Sequence, residues 1–537
     1  MKIIELANGT QAQVAEYKEQ SDILEYQNNP LIEALPPIYS NQKVIDHLSV
    51  YPPFNNEERY LDNHKRVHFI QRLLRYYQPL PIHLQIQSSV DRLLKAGYVS
   101  RNPVHNTYAQ GFVDNWNNIQ NKSIDKDVIQ TGQTMSIVGV SGVGKTRTLQ
   151  RILGMYPQVI SHTLYKGKPL NQYQITHLTI QTPFDGSVKT IIFDFMYQID
   201  LLMGTDYFNR YANSRLSTSQ LMPIMAQIAK SVNLGILIID EIQHLKAVKS
   251  KSSTQVLNFF TTLINTVNIP LIMVGTPKAM DILQTQFRQA RRNTNAGNVM
   301  WNRMEKDELW DLFVQGMWQY QWTREETPFS EEFSSLLYNI SQGLCDICLK
   351  VYMMCQLRCV SSGKEKITIP LMQQVAEEEL KMVQPMLYAL KTNNYKRLAD
   401  YDDISFPDIE NYIEGEQIVI NQNQVMESLK QGVDRKNQQS KLVDDAVFRL
   451  GILGIEDDVA RATISNIIAQ NSEIQDLSLI VQKAFRLLTT QETTDNKVDE
   501  SDFRKVIEQG KEKELTAYQA LYEAGVIKQD YPLDDML

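Results

Sequence analysis

The sequence predicts an α/β protein: a three-layer core on a parallel sheet, a helical lid after it, and mainly helical regions at the N- and C-terminal ends. Two observations predict this. Between residues 134 and 275, short apolar runs of strand type (TMSIVGV, HLTIQ, ILIID, PLIMVG) alternate with helix-forming segments, the pattern of a parallel sheet covered on both faces. Beyond about residue 300 the strand signals fade, and the chain reads as helical up to Tyr388.

Taken in order, residues 1–55 read as an N-terminal arm or linker, because an Asn/Gln-rich start and the pairs Pro36-Pro37 and Pro52-Pro53 favour extended backbone. Residues 56–125 read as a small helical domain. Leu61, Phe69, Leu73 and Tyr76 recur at helical spacing among Arg59, Lys65, Arg66, Arg72 and Arg75, and a second helix over 86–96 is expected to end at Gly97. Residues 126–300 hold the sheet core, with helices expected at TRTLQRILGMY, over 188–203 and over 256–267. The last of these places Val256, Leu257, Phe260, Leu263, Ile264 and Val267 on one face. Residues 301–390 form the lid. Residues 391–537 begin with a polar stretch and continue into an acidic region whose runs DDAVFRL and LSLIVQKAFRLL predict one more helical module, suited to docking a protein partner.

The 537 residues, 43% hydrophobic and 22% charged, exclude a small stapled scaffold, wholesale disorder and a collagen-like chain. The four cysteines all lie between Cys345 and Cys359, which cannot staple a chain of this length and points to a reducing compartment. Their offsets on one helix spread them over roughly 21 Å at ~1.5 Å per residue, too far for one zinc, so a buried helical face is expected. The start MKIIELANGTQAQ is too short in apolar residues for a signal peptide, and no run approaches the roughly 18 residues of a membrane span. A soluble, cytoplasmic protein without membrane contact is the expectation. Net charge is uneven: residues 401–537 carry 14 Lys and Arg against 27 Asp and Glu, and residues 1–400 carry 40 against 35. A mildly basic body suits phosphate; an acidic tail suits protein.

The chemistry concentrates at GVSGVGKT, Gly139 to Thr146, which fits GxxxxGK[ST] between a strand and a helix. Gly139, Gly142 and Gly144 let the backbone turn its amides toward phosphate, helped by the positive end of the following helix. Lys145 would reach the β- and γ-phosphates, and the Thr146 hydroxyl would meet Mg²⁺. ATP and Mg²⁺ are the expected cofactors, with Ser141, Val143 and Arg147 completing the cofactor-binding set. The strand ILIID ends in Asp240-Glu241; Asp240 would hold the Mg²⁺ shell and Glu241 would polarise the attacking water. Thr276, at the end of PLIMVG, would sit beside the γ-phosphate as a sensor. Of the cluster Arg288, Arg291 and Arg292, Arg291 and Arg292 are the catalytic candidates, able to reach a neighbouring subunit's nucleotide.

Phosphate loop, acidic pair, sensor strand, arginines and helical lid come in the order of the AAA+ ATPases. The stretch IDEIQHLKAVKSKSSTQVLNFFTTLINTVNIPLIMVGTPKAM, followed by ARRNTNAGNVMW, more specifically resembles the transposition regulators TnsC and TniB. FNNEERYLDNHKRVHFIQRLLRYYQPLPIHLQI, GYVSRNP and MLYALKTNNYKRLADYDD extend the resemblance over about residues 50–405. It implies an ATP-dependent factor that assembles on double-stranded DNA as rings, a heptamer among them, or as filaments, and links a TniQ/TnsD-like target selector to TnsA/TnsB-like transposase subunits. Where many lids supply an arginine after a Gly, this chain has Gly343-Leu344-Cys345-Asp346-Ile347, with Lys350 a weak substitute.

DNA contacts are expected from Ser187 and Lys189 after the second strand and from Lys246, Lys249 and Lys251 after the acidic pair. These would be phosphate contacts, salt-dependent and largely sequence-independent. The eight histidines show no metal spacing, and no acid triad for cutting DNA can be argued. A replication-initiator or helicase-loader ATPase is the rival reading, and a scaffold that uses ATP without hydrolysing it is the third.

Overall fold

In the computed structural model the chain divides into two compact units, Met1–Asn423 and Gln424–Leu537. The structure describes residues 2–18, 22–105, 133–184, 186–247, 269–280, 283, 297–398, 409–470, 476–489, 503–513 and 515–524. Nine strands are described: β1 (Ile3–Glu5), β2 (Gln11–Val14), β3 (Thr134–Gly139), β4 (Val159–Tyr165), β5 (Lys168–Ile175), β6 (His177–Gln181), β7 (Ile236–Asp240), β8 (Leu271–Gly275) and β9 (Asn298–Trp301). Five of them make a parallel sheet in the order β6-β7-β8-β3-β9. Ile137, Ile236, Ile238, Ile272 and Val274 face one buried cluster, and Val138, Leu237, Ile239, Leu271 and Met273 face the other. Burial on both faces is why these strands read as unbroken apolar runs rather than as alternation.

The expectation of an arm over residues 1–55 does not match the structure. β1 and β2 join β4 and β5 in a second sheet, order β1-β2-β4-β5. Pro30 opens a short helix, Pro30–Glu33, whose cap is the Asn29 side chain accepting from the Leu31 amide at 3.1 Å. Leu31, Ile32, Leu35, Val44 and Leu48 lie in the same buried cluster as the lid residues. The proline pairs punctuate this packing. β4 and β5 went unread because their apolar residues are interrupted by polar ones; the hairpin turns at Lys166-Gly167, both at positive φ, which suits a two-residue turn.

The helical run expected from the spacing of Leu61, Phe69, Leu73 and Tyr76 is broken into 3-10 turns at Asn56–Tyr60 and Gln71–Arg75 around the helix Asn63–Ile70, with Leu61 and Asp62 extended. The next helix, Pro81–Val99, passes through Gly97. A Cβ at Gly97 would lie 2.5 Å from Pro270 Cγ, so that glycine permits close helix–sheet approach and is no stop signal. In the lid, Glu308–Trp318, Glu331–Ser341, Cys345–Ser362, Ile369–Glu379 and Gln384–Lys391 pack around Trp310, Trp322 and Tyr352. Cys348, Cys355 and Cys359 are buried along Cys345–Ser362, as a buried helical face requires.

Ile409, Ile413 and Ile420 also belong to the first unit's core, so the division falls after Asn423 and not near residue 390. In the second unit the described elements are helices, with Ala446, Leu450, Ile464, Ile467 and Ile480 at their core. The helix expected over 256–267 lies outside the described residues. Among the described residues no helix is long and apolar enough to cross a membrane.

Candidate functional site

β7, β8 and β3 are neighbours in the sheet, so their carboxyl ends bring the acidic pair, Thr276 and the glycine-rich loop together, where open parallel sheets build their sites. Gly142 and Gly144 have φ of 81° and 101°, a region open to glycine at little cost. A Cβ on Gly139 would stand 2.5 Å from the Trp301 carbonyl oxygen of β9. Gly144 is the N-cap of Lys145–Leu153, whose first-turn amides have no partner inside the helix. Val143 is buried, while Ser141 and Gly142 are half-exposed on the loop.

Lys145 Nζ donates to the carbonyls of Gly139 (2.8 Å) and Val140 (3.1 Å). Thr146 Oγ1 donates to Asp240 Oδ2 at 2.9 Å, and the other Asp240 oxygen accepts the Glu241 amide at 2.8 Å. A hydroxyl beside a buried carboxylate is a pair of hard oxygen donors, the set that suits Mg²⁺. Glu241 sits at φ +56°, a conformation uncommon outside glycine. Its carboxylate accepts from the Gln243 side-chain amide. Thr276 is buried, its amide donates to Gln243 Oε1 at 3.1 Å, and its hydroxyl is a buried group with no protein partner. Such a group costs about 1–3 kcal/mol when unmet, and it lines the cavity, where a phosphate oxygen could meet it.

That cavity, about 290 Å³, runs from Ser141–Thr148, Glu241 and Thr276 to the lid stretch beginning at Gly343 and to walls that no motif marks. Tyr76, Tyr77, Gln78, Leu80 and His83 come from before the core; Trp301–Met304, Gly343, Cys345, Asp346 and Leu349 come from after it. The first group's signal lies in YYQPLPIH, where Pro79 and Pro81 fix an aromatic-rich turn, whereas helical spacing alone places Tyr76 on a helix face. The turn is fastened to the loop helix. Tyr77 Oη and Thr148 Oγ1 are 2.7 Å apart, the Arg151 guanidinium lies 4.6 Å from the Tyr77 ring centre, and Arg147 donates to the Leu74 carbonyl at 2.7 Å. His83 Nδ1 accepts from the Leu80 amide at 2.9 Å, and burial pushes its pKa down to about 4. The lid cation lining the cavity is Arg303, bonded to Gln342 Oε1 at 3.0 Å, whereas Lys350 pairs with Asp346 at 2.9 Å.

Of the residues expected to meet DNA, Ser187 caps Val188–Met203 by accepting from the Thr190 amide, and Lys189 Nζ lies 5.4 Å from the Phe193 ring centre. Lys246 falls in the 3-10 turn Ile242–Ala247. Lys249, Lys251, Arg288, Arg291 and Arg292 lie outside the described residues.

Residues 128–283, the segment that holds the glycine-rich loop, the acidic pair and Thr276, match the AAA domain family. An uncharacterized ABC transporter ATP-binding protein of Haemophilus influenzae is 24% identical over 98 residues, 18% of this chain; the chain thus spans 37% of that relative's length. Among solved structures, a Walker-type ATPase of Pyrococcus abyssi aligns with a TM-score of 0.34 and 12% identity over 57% of this chain and 89% of that one. The Aeropyrum pernix ORC1 protein in complex with DNA gives 0.33 and 11% over 62% and 87%. Cdc6p of Pyrobaculum aerophilum gives 0.33 and 11% over 61% and 89%. The domain match and the sheet order make the core an AAA+ P-loop fold.

Proposed function

We propose that this chain is an ATP-dependent, DNA-binding regulator of DNA transposition, similar to TnsC and TniB, that links a target selector to transposase subunits and whose hydrolysis controls assembly and disassembly. The observation that carries the ATP-driven part is the convergence of Lys145, Thr146, Glu241 and Thr276 on one cavity, with Asp240 bonded to Thr146 beside it and the Thr276 hydroxyl unmet. The run from IDEIQHL to GTPKAM, with ARRNTNAGNVMW after it, supports the transposition reading. Helices in the unit after Asn423 suit a docking module.

In this reading Thr146 and Asp240 would hold Mg²⁺, which would supply positive charge against the phosphates. The backbone amides from Ser141 to Thr146 cradle the phosphates, and Lys145 leaves its two carbonyl partners to meet them. Glu241 orients and polarises the attacking water, and the Thr276 hydroxyl donates to the γ-phosphate. Arg291 or Arg292 reaches the nucleotide of a neighbouring subunit, so that ATP binding and oligomerisation are linked. Ser187, Lys189, Lys246, Lys249 and Lys251 face the DNA backbone, and Arg147 and Arg303 frame the cavity toward the base.

The test is electron microscopy with linear double-stranded DNA in ATP, a non-hydrolysable analogue and ADP. Rings or filaments that need DNA and triphosphate, and that vanish in Lys145→Ala, are the expected result. A monomer in every condition would overturn the oligomeric regulator and favour the initiator or loader reading.

A further inference from the structure

Gln243 joins two parts of the site that the sequence treats as separate. Its side chain is buried, and both ends of its carboxamide are engaged: the nitrogen donates to the Glu241 carboxylate, and Oε1 accepts the Thr276 amide at 3.1 Å. The orientation is fixed by chemistry. Turned over, the amide would set its oxygen against a carboxylate and its N–H₂ against an N–H. The surroundings are shaped for this bridge. A Cβ on Gly275 would lie 3.0 Å from Gln243 Oε1 and 2.7 Å from Ile242 Cγ2, so only glycine before Thr276 lets the bridge close. Glu241 is held in its left-handed conformation by Asp240, which accepts its amide, and by the His244 amide, which donates to its carbonyl at 3.0 Å. With the backbone fixed, the carboxylate's aim is set by Gln243.

We propose that Gln243 is the positioning residue that couples Thr276, at the end of β8, to Glu241, at the end of β7, so that contact with the terminal phosphate and alignment of the water-polarising carboxylate occur together. The inference rests on the roles proposed above for Glu241 and Thr276. One oxygen of Glu241 is occupied by Gln243, which leaves the other to face the water. Thr276 lines the cavity with its hydroxyl unmet, and the bond from its amide to Gln243 fixes the backbone that carries that hydroxyl.

Gln243→Glu keeps an oxygen for the Thr276 amide but sets a carboxylate against Glu241; Gln243→Met keeps the length and removes both bonds. The experiment, at pH 8 on the full chain, measures equilibrium binding of ADP and a non-hydrolysable ATP analogue, steady-state hydrolysis, and thermal unfolding. Gln243→Glu is expected to keep the wild-type ratio of analogue to ADP affinity while kcat falls about 100-fold with KM near the wild-type value. Gln243→Met is expected to lose both: kcat falls similarly and the affinity ratio falls about 10-fold. Unfolding within about 2 °C of wild type shows that the fold is retained. Wild-type kcat in both variants, or an affinity ratio unchanged in Gln243→Met, overturns the proposal. Glu241→Gln separates the two readings: if it turns over ATP at the wild-type rate, the role of Glu241 fails, and the binding ratios still decide whether Gln243 governs Thr276.

Discussion

Replacing Glu365 by alanine should destabilise the first unit more than removing its partner, and removing both should restore most of the loss. The Arg66 side chain is fully buried, while Glu365 is 12% exposed. The guanidinium donates to both Glu365 oxygens, to the Trp322 carbonyl at 3.0 Å and to Asn63 Oδ1 at 2.6 Å. Glu365→Ala leaves that cation buried without its counter-charge, a loss of about 3–5 kcal/mol. Arg66→Met leaves a carboxylate at the rim that still accepts the Arg324 amide at 3.1 Å, and about 1–3 kcal/mol is expected. The double change to methionine at both positions leaves no unpaired charge and should lie within about 2 kcal/mol of wild type. At ~2.1 cal/mol/K per residue, a unit the size of Met1–Asn423 has an unfolding entropy of about 0.9 kcal/mol/K. Glu365→Ala should therefore lower its Tm by about 3–6 °C. Differential scanning calorimetry of the full chain reads this, with the relevant transition identified by its upward shift in ADP. A double variant as unstable as the sum of the single ones would refute the reasoning.

His83 makes stability depend on pH. Its pKa is about 4 in the fold against 6.5 ordinarily, so the unfolded chain takes up the proton first; the contribution is intact above about pH 6.5 and is lost as pH falls toward 4. Between pH 7.5 and 5 about 1–2 kcal/mol from this group should disappear, and His83→Gln should reduce the slope in thermal unfolding without abolishing it, since burial holds His177 at about 4 as well; a slope unchanged by the substitution would count against the buried neutral ring. Gly139→Ala puts a methyl group 2.5 Å from the Trp301 carbonyl oxygen. It should cost about 1–3 kcal/mol and weaken ADP binding at least tenfold in equilibrium titration, whereas wild-type affinity would mean that β9 yields freely.

The sheet core was legible because the strands that build it are buried on both faces, so ILIID and PLIMVG read as apolar runs with nothing to confuse them. The loop, the acidic pair and Thr276 were legible because each sits at a strand end whose position the motif itself gives. The rest of the cavity was not. Tyr77 and Arg303 come from irregular segments and His83 from the first turn of a helix, and their placement depends on contacts with Thr148, Gln342 and Leu80 that no apolar periodicity encodes. The N-terminal sheet was missed for a related reason. β1 and β2 are three and four residues long, and β2 finds its parallel partner in β4, about 150 residues away. Gln243 looked like an ordinary polar residue after an acidic pair, and its bonds to Glu241 and Thr276 exist only once β7 and β8 lie side by side.

The cavity's walls also impose an order in time. Tyr76 and Leu80 leave the ribosome long before Gly343 and Leu349, with which they enclose one space. At ~5–20 residues per second the interval is roughly 15–55 s. Arg66 waits equally long for Glu365. During synthesis the early helices therefore carry a cation and an apolar face whose partners have not yet been made. The nucleotide site is among the last parts of the unit to form.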